Sequence, residues 1–335
     1  MRSAPVTIPV AYVLGILAGA RAHDVATEPW LLHAGISPAL LAEPAARVTG
    51  EQYVALFETM MREYRDEGLG FFSRALRPGC MALVMRSTLG TPTVGTAMRR
   101  MYRGFQLLQD DLQFDTVEDG PFTGVRLVEA RHGYPNQVFA HELVLRVYSR
   151  LLSWLHGGRL RFEGFDFAFE RPAHGAEYPQ LFSGTIRFGQ PHSTMWVTTA
   201  KLAAPMRRDE AALHEYFSHA WRNVVLPRRR EDATSQRIRN YLQQMRPAWP
   251  DLPATADALH MSVSTLQRHL ATEGSSFQAI KDQLRRDLAI VRLNTSGVAL
   301  AALAAELGFS DQAVFQRAFK GWTGSAPGSY RQHRH

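Results

Sequence analysis

The 335-residue chain contains a single cysteine, Cys80, and this scarcity excludes two kinds of site. One cysteine cannot form a disulfide within the chain, and a zinc site built from several cysteines would lack its ligands. Such a composition is typical of a reducing compartment. We therefore expect a cytoplasmic protein in which Cys80 is a core residue.

Long apolar runs are also missing. A helix that spans a bilayer needs about 20 consecutive apolar residues, and the sequence contains no such stretch. We therefore expect no membrane contact.

The opening segment needs its own interpretation, because one arginine followed by an apolar run from Val10 to Ala20 loosely resembles a signal peptide. Pro5 and Pro9 interrupt its start, and no second positive charge precedes the apolar run. The spacing of the apolar residues also suits one packed face of a helix. We therefore predict the first helix of the fold here.

Motifs of common enzymes and cofactor sites are absent from the sequence. His141 and Glu142 begin a segment like a zinc-protease helix, but Leu145 stands where the second histidine is required. Glycine-rich nucleotide loops, the GxSxG turn and CxxC pairs do not occur. We therefore predict no catalytic residue, no metal and no cofactor. Four further histidines are expected to be surface or hydrogen-bonded residues: His132, His156, His174 and His192.

Positive charge is concentrated in the last third of the chain. Residues 228–335 contain 15 lysines and arginines against 9 acidic residues, whereas residues 1–227 contain 23 against 22. Six of the seven net positive charges therefore lie after residue 227. This distribution indicates a phosphate-binding module attached to a neutral domain.

A charged segment rich in proline separates these two parts. It begins with three arginines, Arg228–Arg230, and ends in a cluster of prolines before residue 254. The arginines suit a solvated linker or a basic arm on DNA, and the linker is the commoner meaning of such a run. We predict one domain over residues 1–225, a linker over 226–250 and a second domain over 251–335.

The first domain has a mixed pattern of apolar residues. Helical spacing occurs over residues 51–65 and 139–155, whereas residues 159–197 contain short strand-like runs punctuated by glycine and proline. These patterns predict an α+β domain. Six aromatic residues suit either an apolar effector pocket or plain core, and core is the commoner role: Tyr134, Phe162, Phe165, Phe167, Phe169 and Trp196. No effector-binding residue is assigned.

The second domain contains an internal repeat, which is the strongest signal in the sequence. Residues 259–277 parallel residues 307–327, and each copy carries a Gln-Arg pair at a matching place, Gln267–Arg268 and Gln316–Arg317. An all-α domain with one structural unit used twice is predicted.

Each copy has the pattern of a helix-turn-helix unit. A short alanine-rich helix, over residues 254–259 or 300–307, precedes a tight turn and a serine placed to cap a second helix, Ser262 or Ser310.

The turn requires a residue with a left-handed backbone. Gly308 supplies it in the second copy, and His260 must adopt it in the first. Asp251 is expected to cap the first helix, because Pro253 then falls in the first turn, where proline is tolerated.

The second helix of each copy has two distinct faces. The apolar faces are predicted core: Val263, Leu266, Leu270, Phe315, Phe319 and Trp322. Arginine can bond guanine, and glutamine adenine, through two hydrogen bonds. An exposed Gln-Arg pair is common on any surface helix. Two such pairs at matching positions of the two copies, however, favour contacts with the bases of DNA.

A continuous helix is predicted over residues 276–295, between the two copies. Its apolar residues recur at helical spacing and are interleaved with basic residues such as Lys281. Twenty residues rise about 30 Å, close to the roughly 34 Å between successive major-groove segments on one side of B-DNA. One chain can thus place both second helices in adjacent grooves.

Residues 299–332, ALAALAAELGFSDQAVFQRAFKGWTGSAPGSYRQ, resemble the signature of the AraC/XylS family of bacterial transcription regulators. The resemblance lies in the LGFSD turn, the FQRAFK helix, the WTG and the final P-x-x-Y-R, and it extends over about residues 254–331. It implies base contacts from six residues: Ser264, Gln267, Arg268, Ala313, Gln316 and Arg317. Lys281 and Lys320 are expected to contact phosphate.

The first domain resembles the arabinose-binding-like amino-terminal domain found in a subset of this family, most clearly over residues 181–206. This resemblance implies effector sensing and self-association. We therefore expect a one-component regulator, associated with the nucleoid of a bacterial cytoplasm. Its expected partners are double-stranded promoter DNA, an unidentified small-molecule effector, RNA polymerase and a second copy in a homodimer. The alternatives are an enzyme tethered to DNA and a DNA binder without an effector.

Overall fold

The computed structural model describes residues 5–130, 133–158, 160–218 and 233–331. The α-helices in chain order are α1 (Val10–Ala22), α2 (Glu28–His33), α3 (Gly50–Glu63), α4 (Cys80–Ser87), α5 (Val94–Leu108), α6 (Gln137–Leu155), α7 (Tyr178–Leu181), α8 (Thr199–Leu202), α9 (Glu210–Ser218), α10 (Thr234–Gln244), α11 (Leu252–Ala258), α12 (Val263–Thr272), α13 (Phe277–Thr295), α14 (Leu300–Glu306) and α15 (Gln312–Thr323). The strands are β1 (Thr7–Pro9), β2 (Arg47–Thr49), β3 (Leu112–Asp119), β4 (Phe122–Glu129), β5 (Gly164–Asp166), β6 (Thr185–Arg187) and β7 (Thr194–Thr198). Among the helices of the described ranges, none is long and apolar enough to cross a membrane.

The chain forms two compact units, and both are discontinuous in sequence. The first, here called the sheet unit, comprises residues 11–34 and 54–227. The second, here called the helical unit, comprises residues 1–10, 35–53 and 228–335. Two early stretches of the predicted domain 1–225 therefore fold with the end of the chain.

The sheet unit is built on five strands in the order β3-β4-β7-β5-β6. All neighbours pair antiparallel except β5 and β6, which are parallel. Helices α5 and α6 contact each other, α5 contacts β3, and α6 contacts β7. The α+β class predicted for this region is confirmed. The sequence patterns had indicated β5, β6 and β7 but not β3 and β4. Strand β3 is an edge strand whose residues are mostly exposed or half-buried and polar.

The first helix is a packed element of this unit, as predicted. Tyr12, Ile16 and Leu17 of α1 are buried. Gly15 lies against the ring of Phe139, so closely that an added Cβ would come within 2.2 Å of it.

The aromatic residues around β5 form core. Phe162, Phe165 and Phe167 are buried, and the ring centroids of Phe165 and Phe167 lie 4.9 and 5.1 Å from that of Phe182. Because these rings are buried and pack together, the commoner of the two alternatives, plain core, is confirmed for these three residues.

His141 and Glu142, the pair that resembles part of a zinc motif, are structural residues at the start of α6. The Nδ1 atom of His141 lies 2.8 Å from Ser193 Oγ, and its Nε2 lies 2.7 Å from Glu129 Oε1. Burial lowers the pKa of His141 although Glu129 opposes this. Glu142 accepts hydrogen bonds from His174 and Tyr178. In the described part of the chain, no group of three His, Cys, Asp or Glu residues could hold a metal ion.

The helical unit includes part of the segment predicted as a linker. Its residues 234–244 form α10, whose Ile238 and Leu242 are fully buried. The carboxylate of Glu273 accepts hydrogen bonds from the backbone N–H groups of Thr234 and Ser235, at 2.7 and 3.0 Å. The first turn of α10 is thereby capped by a residue nearly 40 positions away. Arg228–Arg230, the predicted linker or basic arm, lie outside the described residues.

A two-stranded antiparallel sheet of β1 and β2 completes the helical unit. Thr7 Oγ1 donates to Asp287 Oδ1 of α13 at 2.6 Å, and the backbone N–H of Arg47 donates to the Tyr330 hydroxyl at 3.1 Å. Gln52 Nε2 donates to Asn294 Oδ1 at 3.0 Å. These three bonds explain why the strands β1 and β2 and the start of α3 belong to this unit.

Candidate nucleic-acid interface

The first helix pair, α11 and α12, begins with the predicted caps and turn. Asp251 Oδ1 accepts a hydrogen bond from Ala254 N–H at 3.0 Å, so Pro253 stands in the first turn of α11. His260 has a φ of 57°, the left-handed conformation that the turn requires. Ser262 Oγ accepts from Thr265 N–H at 3.2 Å and caps α12. All three sequence predictions for this turn are confirmed.

The second helix pair, α14 and α15, differs from the prediction in its cap. Gly308 has the expected positive φ, 73°. The cap of α15, however, is Asp311, whose Oδ1 accepts from Val314 N–H at 2.8 Å, and the prediction of Ser310 was wrong. Ser310 instead donates to Asp311 Oδ2. The hydrogen bond from Val314 lowers the pKa of Asp311, which keeps the cap ionised.

Four of the six residues predicted as core on the apolar faces of α12 and α15 are buried. Leu266, Leu270, Phe315 and Phe319 are buried. Val263, predicted as core, is 36% exposed because it stands at the first position of α12, before the helix reaches the packed face. Trp322 is half-buried, with its ring centroid 5.9 Å from that of Phe309.

The residues predicted to read bases lie on the outer sides of the same helices. Five of them are exposed: Ser264, Gln267, Arg268, Ala313 and Arg317. Gln316 is half-buried, while Lys320, one turn after it, is exposed. The outer faces of α12 and α15 therefore combine amide and guanidinium donors with little competing acidic charge.

Lys281 does not share that exposure. Its ammonium group donates to the backbone carbonyls of Trp249 and Pro250, at 2.9 and 3.0 Å. Burial and, to a smaller extent, the neighbouring Arg285 lower its pKa. Because the ammonium is occupied inside the unit, we remove Lys281 from the residues expected to contact phosphate.

Trp249 is a buried residue that connects several elements of the helical unit, a role that the sequence patterns did not indicate. It is 5% exposed, and its indole Nε1 donates to the backbone carbonyl of Glu306 at 2.9 Å. The guanidinium of Arg285 lies 5.0 Å from the ring of Trp249 and 5.0 Å from that of Phe309. A Cβ added to Gly308 would come within 2.7 Å of the Trp249 ring. Glycine is therefore required at this position both for its positive φ and for the close approach of Trp249.

Glu306, at the end of α14, bonds to two arginines of other elements. Arg292 of α13 donates from Nε to Glu306 Oε2 at 3.1 Å, and Arg246 reaches Glu306 Oε1 at 3.5 Å. These half-buried pairs join α14 to the rod-like α13 and to the segment after α10. The second helix pair is thus fixed to α13 by ion pairs as well as by apolar packing.

A helix that follows a tight turn and presents exposed Gln and Arg side chains, on a basic unit, defines a helix-turn-helix DNA-binding protein. Residues 255–333 match a helix-turn-helix domain family, and residues 25–206 match the arabinose-binding domain of AraC transcription regulator, N-terminal. The second match alone covers just over half of the chain. The chain belongs to the AraC family of transcription regulators, and it is a sequence-specific DNA-binding regulator.

Named relatives agree with this assignment. The ornithine utilization regulator of Pseudomonas aeruginosa is 26% identical over 97% of this chain and 96% of its own length. The regulator VirS of Mycobacterium tuberculosis is 26% identical over 81% of this chain and 77% of its own. A crystal structure of the regulator CdpR from Pseudomonas aeruginosa covers 98% of this chain and 99% of its own, with 20% identity and a TM-score of 0.33.

Proposed function

We propose that both helix pairs are helix-turn-helix units, and that they contact two successive major-groove segments on one side of a promoter. The observation that carries this is the matched geometry of the pairs. Each has a left-handed turn residue, His260 or Gly308, followed by a capped helix whose outer face carries a Gln-Arg pair. The 19 residues of α13 between the pairs rise about 28 Å, compared with roughly 34 Å between successive groove segments.

The residues on the outer faces take distinct roles in this proposal. Arg268 and Arg317 bond guanine, Gln267 and Gln316 bond adenine, and Ser264 bonds a base edge. Ala313 has no polar side chain, so it contacts the methyl group of a thymine. Lys320 contacts phosphate, where its charge adds affinity without sequence preference.

Selection of bound sequences from random duplexes tests the tandem arrangement. The full chain should enrich two half-sites whose centres are about 10 base pairs apart. Inserting five base pairs between them rotates one half-site to the other side of the duplex. Inserting ten keeps it on the same side but moves it about 34 Å further along, beyond the reach of the two units of one chain, so both insertions should abolish the high-affinity complex. A motif with one half-site, unaffected by either insertion, would contradict the proposal.

We further propose that a small molecule bound to the sheet unit alters promoter binding. The support is the family match over residues 25–206. The regulator acts as a homodimer in the bacterial cytoplasm, at the nucleoid, and contacts RNA polymerase. The relatives are named as regulators, which supports a role without catalysis. Because one relative is named for ornithine utilization, ornithine is a first effector to test by its effect on the operator Kd.

A further inference from the structure

The sheet unit contains a groove with an unusual concentration of arginine. It lies between α5 and β3 and has a volume of about 430 Å³, within the range of roughly 300–1,000 Å³ typical of small-molecule sites. Its polar lining comes from one face of α5 and from the start of β3: Thr96, Arg99, Arg100, Arg103, Gln106, Asp115 and Thr116.

The positive charge of this groove is not neutralised by the protein. Arg103 makes no hydrogen bond or ion pair with any described residue, and Arg99 makes only a long contact of 3.5 Å with Thr96 Oγ1. Arg100 donates to the Ser87 carbonyl, which carries no net charge. The acidic residue of the lining, Asp115, is paired with Arg126, and this bond lowers its pKa. Arg99, Arg100 and Arg103 thus line the groove without an acidic partner among the described residues.

The groove places two like charges on one helix face. Arg99 and Arg103 are four residues apart on one helix face, where like charges repel. They stand in a domain whose charges otherwise balance almost completely. A bound anion would remove the repulsion and give both guanidinium groups partners suited to their planar geometry.

The floor of the groove is aromatic. The rings of Tyr102 and Phe114 are stacked, with centroids 4.6 Å apart and planes 16° apart. Tyr102 is 4% exposed, and its hydroxyl has no hydrogen-bond partner among the described residues. Phe114 is half-buried and leaves part of its ring accessible. A flat or apolar ligand body can pack on this floor while its charged head reaches the arginines.

We propose that this groove is the effector site and that it takes a small organic anion, with a carboxylate or phosphate head and a flat body. Arg99 and Arg103 bind the head, Gln106 and Thr116 offer further polar contacts, and Phe114 contacts the body. The inference rests on the proposed function for the link to DNA binding, but not for ligand binding itself.

Thermal unfolding of the full chain tests ligand binding with defined probes: benzoate, succinate and inorganic phosphate, with neutral benzamide as the control for shape. At tens of millimolar the anions should raise the unfolding temperature by roughly 2–5 °C, most strongly for benzoate, and benzamide should not. The double variant Arg99→Ala, Arg103→Ala should bind at least about tenfold more weakly. The matched control, Arg62→Ala with Arg77→Ala, removes two exposed arginines of the same unit outside the groove and should bind like the wild type.

Circular dichroism confirms that the variants fold, and each single variant serves if the double one does not. Equal stabilisation of the wild type and the double variant by every anion would overturn the site. So would a loss in the variant that affects only binding of DNA, because the arginines would then contact a nucleic acid backbone.

Operator affinity measured with and without the bound anion separates this inference from the proposed function. If an anion binds through Arg99 and Arg103 but leaves the operator Kd unchanged, the binding site stands and the effector role fails. If a compound changes the operator Kd equally in the wild type and the double variant, effector control stands and this groove is excluded as its site.

Discussion

The indole N–H of Trp249 donates a hydrogen bond to the backbone carbonyl of Glu306, 2.9 Å away. This bond connects the segment before the first helix pair to the last residue of α14, in the second pair. Arg285 of α13 lies against the same indole ring. The side chain of Trp249 therefore contacts both α14 and α13. Trp249 thereby joins the segment before α11 to α13 and α14, the elements that separate α12 from α15 along the chain.

Replacing Trp249 by alanine should therefore affect stability and DNA binding together. Loss of a buried aromatic side chain costs about 3–5 kcal/mol of unfolding free energy, and the spacing between half-sites should become less strict. Trp249→Phe keeps a ring but removes the hydrogen bond, which costs about 1 kcal/mol. Urea unfolding gives the stabilities, and binding to duplexes with altered half-site spacing gives the second effect. Unaltered spacing preference in the alanine variant would show that other contacts fix the geometry.

The two arginines of the outer faces should differ from the nearby lysine in how they affect binding. Arg268→Ala and Arg317→Ala should each cost roughly 1–3 kcal/mol of specific binding and relax the preference at one base pair. Lys320→Ala should weaken binding to all sequences alike and reduce the slope of log Kd against log salt concentration by about 1. Gel-shift titrations over a range of salt separate these results. A footprint unchanged in both arginine variants would refute the assigned faces.

Lys281→Ala distinguishes an internal lysine from one that binds phosphate. Because its ammonium donates to two part-buried backbone carbonyls, its loss should lower the stability by about 1 kcal/mol, with an unchanged salt slope. A reduced slope with unchanged stability would return Lys281 to the DNA contacts.

The caps of α15 offer a matched pair of substitutions. Asp311→Ala should destabilise the protein by about 1 kcal/mol, the usual effect of losing a capping side chain. Ser310→Ala should have little effect, since Ser310 bonds only to the cap itself. Thermal unfolding of both variants measures the difference. An equal loss in both would indicate that the two residues cap α15 jointly.

Stability should fall in acid partly through Glu273. Burial raises the pKa of this carboxylate, but the hydrogen bonds from Ser235 and Thr234 together outweigh that effect, so the net pKa is lowered. A carboxylate with a depressed pKa in the folded state stabilises it fully above its unfolded pKa, near 4.3, and this contribution is lost as the pH falls through the folded pKa. Glu273→Gln should reduce the pH dependence of unfolding below about pH 4.5. Parallel curves for the wild type and the variant would contradict this.

The features predicted correctly from the sequence are those decided within a few residues. The cap Asp251, the left-handed turn at His260 and the bounds of α13 depend on neighbouring residues and on helical spacing. The cap of α15 was misplaced by one residue because Ser310 and Asp311 are both good capping residues, and the alignment of the two copies favoured the serine.

The features not predicted depend on residues far apart in the chain. Glu273 caps α10, Lys281 bonds the carbonyls of Trp249 and Pro250, and the sheet of β1 and β2 packs against α13. Periodicity and local propensity carry no information about such pairs. The arginines of α5 were likewise missed, because only the folded sheet brings Phe114 and Thr116 beside them.

The two-stranded sheet of β1 and β2 has a consequence for the order of folding during synthesis. Arg47 and its partner Tyr330 are separated by 283 residues, so the strands leave the ribosome long before the groups that bury them exist. Domains generally fold as they emerge, amino-terminal parts first. Here the sheet unit can form early, whereas the DNA-binding part stays unfinished until the final residues are made. A nascent or prematurely terminated chain would therefore be unable to occupy a promoter, and a carboxy-terminal fragment starting at residue 228 would lack two strands of its own fold.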